Sequence, residues 1–355
     1  MNEYDSIVKE QLSAGVIEKV SELEEPGGNV HYLPHHAVIR GDAETTKLRI
    51  VYDASSKDSK NRTSLNDCLH TGPSLNPLLF DILVRFRENK IALVGVIEKA
   101  FLNVAVDPQD RDSLRFLWVE DVRDSNLSVL VYKFCLVVFE LNASPLLLNG
   151  TIRHYLATYA EVDPEFVKRM IEGCYVDDLV TGERTVEKTF TLYKNARERM
   201  AKGGFTLRKW KTNDPRLREM ISTRESNKTN REVGRLEDEE TCAKLEPQGG
   251  TKGEQVFGLA WDCEDDTLHF NFQHIAVKAR GLETTKRNVL SLLASSFDPL
   301  GMVSPPCFSF KHLWSGFGGR HSEGCHEYTD MSKARLWLPS ISPCTFLTPT
   351  YCQWV

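Results

Sequence analysis

Apolar and polar positions change period several times along the chain, and each change marks an element. Ile7, Leu12 and Ile17 around Gly15 fit a short amphipathic helix that gives way to an extended stretch, Val16 to Val20. Glu24 to Asn29, with Pro26-Gly27-Gly28, is a turn or loop. His31 to Val38, Lys47 to Tyr52 and Ile91 to Ile97 have the β-branched and aromatic content of strands. Arg115 to Val119 and Ser128 to Phe139 add two more, separated by the polar loop Glu120 to Asn126. Helical spacing follows. Ser144 can cap and Pro145 fits a first turn, with Leu148, Ile152, Tyr155, Leu156 and Tyr159 on one face. Thr185 caps a second helix that runs through Val186, Phe190, Tyr193, Arg197 and Met200 to a stop at Gly203.

Between these helices, Cys174 to Gly182 places two apolar runs on either side of two carboxylates, which predicts a hairpin with Asp177 and Asp178 at its turn. Residues 213–253 are strongly polar and read as a linker or exposed helical segment. Val256 to Trp261 and Thr267 to Phe272 read as strands of another unit, and Thr285 to Phe297 as a helix that ends at Asp298-Pro299. After about Trp314 no period is visible. Interleaved strands and helices of this kind predict an α+β fold, a sheet with helices on one face.

Bulk properties narrow the class. A chain of 355 residues suffices for two or three packed units, and its 41% hydrophobic and 26% charged residues are ordinary globular usage. No run of eighteen apolar residues exists, so no membrane span is expected. The opening MNEYDSIVKEQ is polar and acidic where a secretory leader has a basic start and an apolar stretch, so a cytoplasmic location is expected, with the nucleus left open. Nine scattered cysteines lack the spacing of a zinc site or a disulfide scaffold and read as reduced thiols. The net charge of −6 and pI near 6.0 count against nucleic-acid binding, although Arg208, Lys209 and Lys211 form a local basic cluster of the kind a binding groove needs.

Tyr175-Val176-Asp177-Asp178 is the most consequential tetrapeptide, because adjacent carboxylates at a hairpin tip can present hard oxygen ligands to magnesium. Alone it is equally an ordinary acidic turn. Its neighbours matter more. Leu48-Arg-Ile-Val-Tyr-Asp-Ala-Ser-Ser-Lys57, Ser64-Leu-Asn-Asp-Cys-Leu69 and Gly72-Pro-Ser-Leu-Asn-Pro77 precede it. Ile97-Glu-Lys-Ala-Phe101, Asp110-Arg-Asp-Ser-Leu-Arg-Phe-Leu-Trp118, Ser144-Pro145 and Gly203-Gly-Phe-Thr-Leu-Arg-Lys-Trp210 complete the ordered series. In these motifs the chain resembles the reverse transcriptase region of the Pao (BEL/Pao) LTR retrotransposon polyprotein. The resemblance runs from about Tyr4 to Leu313, through Thr284-Thr-Lys-Arg-Asn288 and Phe297-Asp-Pro-Leu-Gly301.

The resemblance implies a right-hand polymerase. Residues 1–90 would be the N-terminal helix and fingers, and 91–212 a palm with an antiparallel sheet, the Asp-Asp hairpin and part of the fingers inserted at about 105–135. Residues 213–313 would be thumb and connection, and 314–355 a divergent tail. It also implies RNA-directed DNA polymerase chemistry on a template-primer and dNTPs, with two Mg2+ ions held by three carboxylates. Asp177 and Asp178 match two of these. The third family position holds Val96, whose isopropyl group cannot ligate a metal. Glu98 would share Val96's face if the strand continues, but its tip would sit roughly 6 to 7 Å from the family position. Glu140 stands where the family usually has glycine, adding bulk and negative charge beside the expected phosphates. An impaired enzyme is therefore expected; an inactive nucleic-acid-binding module or decayed product, and an active enzyme rescued by Glu98, are the alternatives.

Other family positions match. Arg49 fits the fingers residue that grips a triphosphate, or is a surface strand arginine. Phe101 fits the ring that excludes a ribose 2′-hydroxyl, or is a core aromatic. Lys209 or Lys211 fits a nucleotide-binding proton donor to pyrophosphate, or a solvated basic face. Asp53 and Lys57 read as scaffold. No carboxylate or zinc-ligand cluster for ribonuclease H or integrase is visible, and Val180-Thr-Gly182 lacks the aspartate of an aspartic protease loop.

Overall fold

A computed structural model of the chain describes residues 2–21, 23–26, 28–39, 48–120, 128–229, 254–269, 273–283, 285–295 and 298–300. The segment 230–253, most of the loop to Asn126 and the tail beyond Trp314 lie outside the described residues. The described chain is α+β.

Its first part contains α1 (Asn2–Ser13), β1 (Ile17–Lys19), the hairpin β2 (His35–Ile39) and β3 (Leu48–Tyr52), then α2 (Leu65–Cys68) and α3 (Leu79–Glu88). β4 (Ile91–Ile97) is followed by β5 (Arg115–Val119) and β6 (Val129–Phe134), then α4 (Ser144–Ala157) and α5 (Pro164–Gly173). β7 (Cys174–Tyr175), β8 (Asp178–Glu183), α6 (Val186–Lys202), β9 (Leu207–Lys211) and α7 (Pro215–Thr229) come next. The meander β10 (Glu254–Val256), β11 (Leu259–Asp262) and β12 (Thr267–His269) precedes α8 (Gln273–Arg280) and α9 (Lys286–Ala294).

The central sheet is antiparallel with order β7-β8-β4-β9. Because strand side chains alternate, β4 divides its residues between two cores. Ile91, Leu93 and Ile97 pack with residues of α4, α5, α6 and α7, whereas Ala92 and Val94 pack with Ile82, Leu83 and Phe86 of α3 and with the β10–β12 meander. Helices therefore cover one face, as the sequence predicts, but α3 and the meander cover part of the other. Arg87 on α3 ties the meander down through Asp266 at 2.8 Å.

A second sheet, β1-β6-β5, carries its own core around Ile17, Phe116, Tyr132 and Phe134. Beneath it Asp112, Arg115 and Lys133 are nearly buried; Arg115 meets Asp112 at 2.8 Å, and Lys133 reaches Asp112 at 3.5 Å and also Glu24. Buried charges persist only when paired. Of the charged residues in Asp110 to Trp118, Asp112 and Arg115 belong to this network, and Arg111 pairs with Glu18 at 3.3 Å.

Several boundaries differ from the sequence reading. β6 stops at Phe134, with Leu136 making only an isolated bridge to Ala105. Ser144 lies inside α4; Ala143 is the cap, and the Ser144 hydroxyl donates to the carbonyl of Val138. Thr185 does cap α6, accepting from the Lys188 N–H at 3.4 Å. Val256 to Trp261 is two strands, because Phe257 and Gly258 turn the chain with φ of +50° and +81°. Positive φ at both central residues is the requirement of a type I′ hairpin. Helix α5 was not expected; Asp163 caps it, Pro164 fits its first turn, and Phe166, Val167 and Met170 form its buried stripe. Among the described residues no helix is long and apolar enough to cross a membrane.

Candidate active site

The hairpin predicted around the two aspartates is present. Tyr175 on β7 pairs with Asp178 on β8, and Val176-Asp177 forms the two-residue loop. Val176 has φ +53°, a left-handed conformation that a β-branched residue adopts only under constraint from its surroundings. Part of the constraint is visible below the tip. The Asn76 side-chain oxygen accepts from the Val176 N–H at 3.4 Å and from the Asn149 amide at 2.8 Å. Asn149, on α4, is 3% exposed and also donates to the carbonyl of Pro145. Neither asparagine was singled out from the sequence, although Asn76 lies in the Gly72 to Pro77 motif. A polar residue at a helix position otherwise facing the core was the available signal for Asn149.

Asp177 and Asp178 are 7% and 9% exposed. The Ile97 N–H donates to the Asp177 carbonyl at 2.7 Å, and Val96 pairs with Asp178. Hydrogen-bonded and non-hydrogen-bonded pairs alternate along an antiparallel ladder, so Val96 and Asp178 form a non-hydrogen-bonded pair, with Cα atoms about 4.5 Å apart. Val96 shares the face of Ala92 and Val94, and Asp178 shares that of Val180. The two side chains thus stand together on the face carrying α3, with Val96 only partly buried.

Chemically the tip offers two carboxylates and one isopropyl group. Two aspartates suit magnesium, but among the described residues no group of three His, Cys, Asp or Glu side chains could hold a metal ion. The residues present do not complete a three-carboxylate, two-metal site.

Glu98 lies just beyond the assigned strand. β4 ends at Ile97 and Lys99 turns with φ +48°, although the Glu98 N–H still donates to the Thr206 carbonyl at 2.8 Å. The Glu98 carboxylate is held by Arg208 at 2.6 Å.

The other candidates divide by location. Phe101 is 2% exposed in a 3₁₀ turn, edge-on to Phe139 at 5.4 Å between centroids, which is the setting of a core aromatic. Arg49 is half-buried opposite Val38 in the separate β2–β3 hairpin, outside the central sheet. Asp53 accepts from the Ser55 N–H, and Lys57 meets Asp67 at 2.6 Å, in keeping with a scaffold role. Glu140 is exposed and lies near Asp53 and His36; partial burial, then the Asp53 charge, raises its carboxyl above the ordinary range. Lys209 is exposed and Lys211 half-buried, both on β9, with Lys211 opposite Val94.

No protein-family model matches the chain, and no curated protein matches it.

Proposed function

We propose that the chain is the reverse transcriptase region of a BEL/Pao-type retrotransposon, an RNA-directed DNA polymerase by descent that does not polymerise. In this reading the β7-β8-β4-β9 sheet is the palm. The β1-β6-β5 sheet and the β2–β3 hairpin are fingers, and the segment from α7 to α9 is thumb and connection. Support comes from the ordered sequence motifs, from the carboxylate hairpin at the end of an antiparallel sheet, and from Val96 opposite Asp178. The last observation carries the conclusion.

Polymerases of this class use metal-bound carboxylates to activate a primer hydroxyl and neutralise a triphosphate. With valine in place of one ligand, several kcal/mol of barrier lowering is at stake, and each 1.36 kcal/mol is about tenfold in rate. Glu98 does not replace the missing ligand while Arg208 holds it. A cytoplasmic location, and RNA or DNA as partner, belong to the same reading.

Primer extension with magnesium tests it. The unmodified chain is expected to give no extension on primed RNA or DNA. Val96→Asp restores some if that substitution is the only lesion, and Val96→Asp with Glu140→Gly is needed if the nucleotide site is also obstructed. Robust extension by the unmodified chain, abolished by Asp177→Asn, would sink the inactive reading and favour an alternative ligand. A second reading, a nucleic-acid-binding module without catalysis, is favoured by the basic side chains of Arg208 and Lys209 on β9 and Arg218 on α7.

A further inference from the structure

Asn66, in α2, joins two turns that are far apart in sequence. Its amide nitrogen donates to the Ser55 hydroxyl at 2.8 Å and to the Glu140 carbonyl at 3.0 Å, and its amide oxygen accepts from the Asn142 N–H at 2.9 Å. Its backbone N–H donates to the Ala54 carbonyl at 3.0 Å. Asn66 is 7% exposed, so these bonds are shielded from water, where leaving a donor or acceptor unpaired is costly. Ala54 and Ser55 follow β3, whose Tyr52 lies in the core of the second sheet. Glu140 and Asn142 lead into α4, whose Leu148, Ile152 and Leu156 lie in the core of the central sheet. One amide thus links segments that belong to different cores.

The same two turns carry carboxylates. Asp53 accepts from the Ser55 N–H at 2.9 Å, so the residue that accepts from Asn66 also orients Asp53. Glu140 supplies the carbonyl that Asn66 grips. Burial and then the Asp53 charge raise the Glu140 carboxyl, and His36 on β2 opposes them. Two like charges on turns free to move would separate, but here the backbone at each is tied to the same amide. Asparagine suits this position because a planar amide offers two donors and an acceptor on one short stem. Aspartate would have no donor for Ser55 or Glu140 and would add another negative charge. α2 itself is set by the capping box of Ser64 and Asp67, with Lys57 bracing Asp67 at 2.6 Å.

We infer that Asn66 is the positioning residue of this corner: it holds the Glu140 turn against the Asp53 turn, so that the two carboxylates form one anionic patch that repels phosphate. That the patch thereby obstructs a nucleotide rests on the polymerase reading, whereas the role of Asn66 in holding the turns together does not.

Carboxyl titration of the full chain by NMR tests this, with glutamate labelled at its side-chain carboxyl carbon and Glu140→Gln assigning the signal. In the parent, Asp53→Asn should lower the Glu140 midpoint, because it removes a neighbouring like charge. In the Asn66→Ala background the same substitution should shift the midpoint far less, because the turns are no longer held together. Ser55→Ala, at an exposed position, removes only one of the bonds and should reduce the step in part. Ser64→Ala controls for a merely structural effect: it removes the cap of α2 and should lower the melting temperature, but it leaves the Asn66 amide and hence the step. No template, primer or nucleotide is used, so the result stands apart from primer extension. An undiminished step in Asn66→Ala would overturn the inference, as would an undiminished step in Ser55→Ala should Asn66→Ala not fold. Equal loss of the step in Ser64→Ala and Asn66→Ala would also overturn it, because docking of α2 in general would then hold the corner.

Discussion

Val96 faces Asp178 across the β4–β8 ladder as a non-hydrogen-bonded pair, the arrangement in which cross-strand side chains stand closest. Val96→Asp therefore adds a third carboxylate beside two that are already nearly buried. Without a divalent cation the added like charge should destabilise the fold by roughly 1–3 kcal/mol. Magnesium bound only by the folded state should reverse this. Melting temperatures in EDTA and in magnesium are expected to differ more for Val96→Asp than for the parent. Identical shifts in the two proteins would contradict the convergence of the three positions.

Two glycines should respond to alanine with opposite signs. A Cβ on Gly182 would lie 2.4 Å from the Ile91 carbonyl oxygen and 2.9 Å from the Asn89 Cβ, and backbone in β4 cannot yield without moving the strand that carries Val96. Gly182→Ala should cost about 1–3 kcal/mol in urea unfolding. At Gly150, inside α4, the nearest atom to a new Cβ is 3.9 Å away on Leu75. Gly150→Ala should gain about 0.5–1 kcal/mol from helix propensity. A gain at Gly182 would show that β4 and β8 are not packed as described.

What the sequence disclosed follows from the range over which each signal acts. The carboxylate hairpin was legible because apolar runs flank Asp177 and Asp178 directly, and α6 because Thr185 and Gly203 mark its ends. α5 carried a start signal at Asp163-Pro164, but its ten residues give one short stripe that is easily passed over between α4 and the hairpin. The turn at Phe257-Gly258 was hidden because it lacks the Asn-Gly or Asp-Gly pair that usually announces a type I′ turn. At the candidate site, the capture of Glu98 by Arg208 joins residues 110 apart, and no local pattern encodes it. The register shift by which Lys209 and Trp210 together oppose Gly95 of β4 likewise depends on the partner strand, which no local pattern encodes.

Asp67 should contribute stability that disappears in acid. A hydrogen bond from Lys57, then bonds from the Ser64 N–H and hydroxyl at the start of α2, lower its carboxyl from 3.8 to about 2. A carboxyl with a depressed folded pKa stabilises above its unfolded value, and the contribution is lost as pH falls from about 3.8 through about 2. Asp67→Asn should be less stable than the parent at neutral pH and converge with it near pH 2. A constant difference in melting temperature across that range would mean that the charge plays no part.

Glu140 should show the opposite dependence. Partial burial raises its carboxyl, the neighbouring Asp53 raises it further, and His36 opposes both only in part. A carboxyl whose folded pKa lies above its unfolded value binds its proton more tightly in the folded state. Stability therefore falls as pH rises from the ordinary glutamate value through the folded one. Glu140→Gln removes the ionisable group while keeping its size, so it should melt higher than the parent at pH 7 and equal to it near pH 4. Asp53→Asn should produce a smaller change in the same direction, since it removes the second cause of the shift and leaves the first. The part of the effect that comes from Asp53 is expected to shrink with salt, whereas the part from burial should persist. If Glu140→Gln instead lowers the melting temperature at pH 7, the carboxylate is stabilised by a partner in the fold, and burial and Asp53 do not dominate its setting.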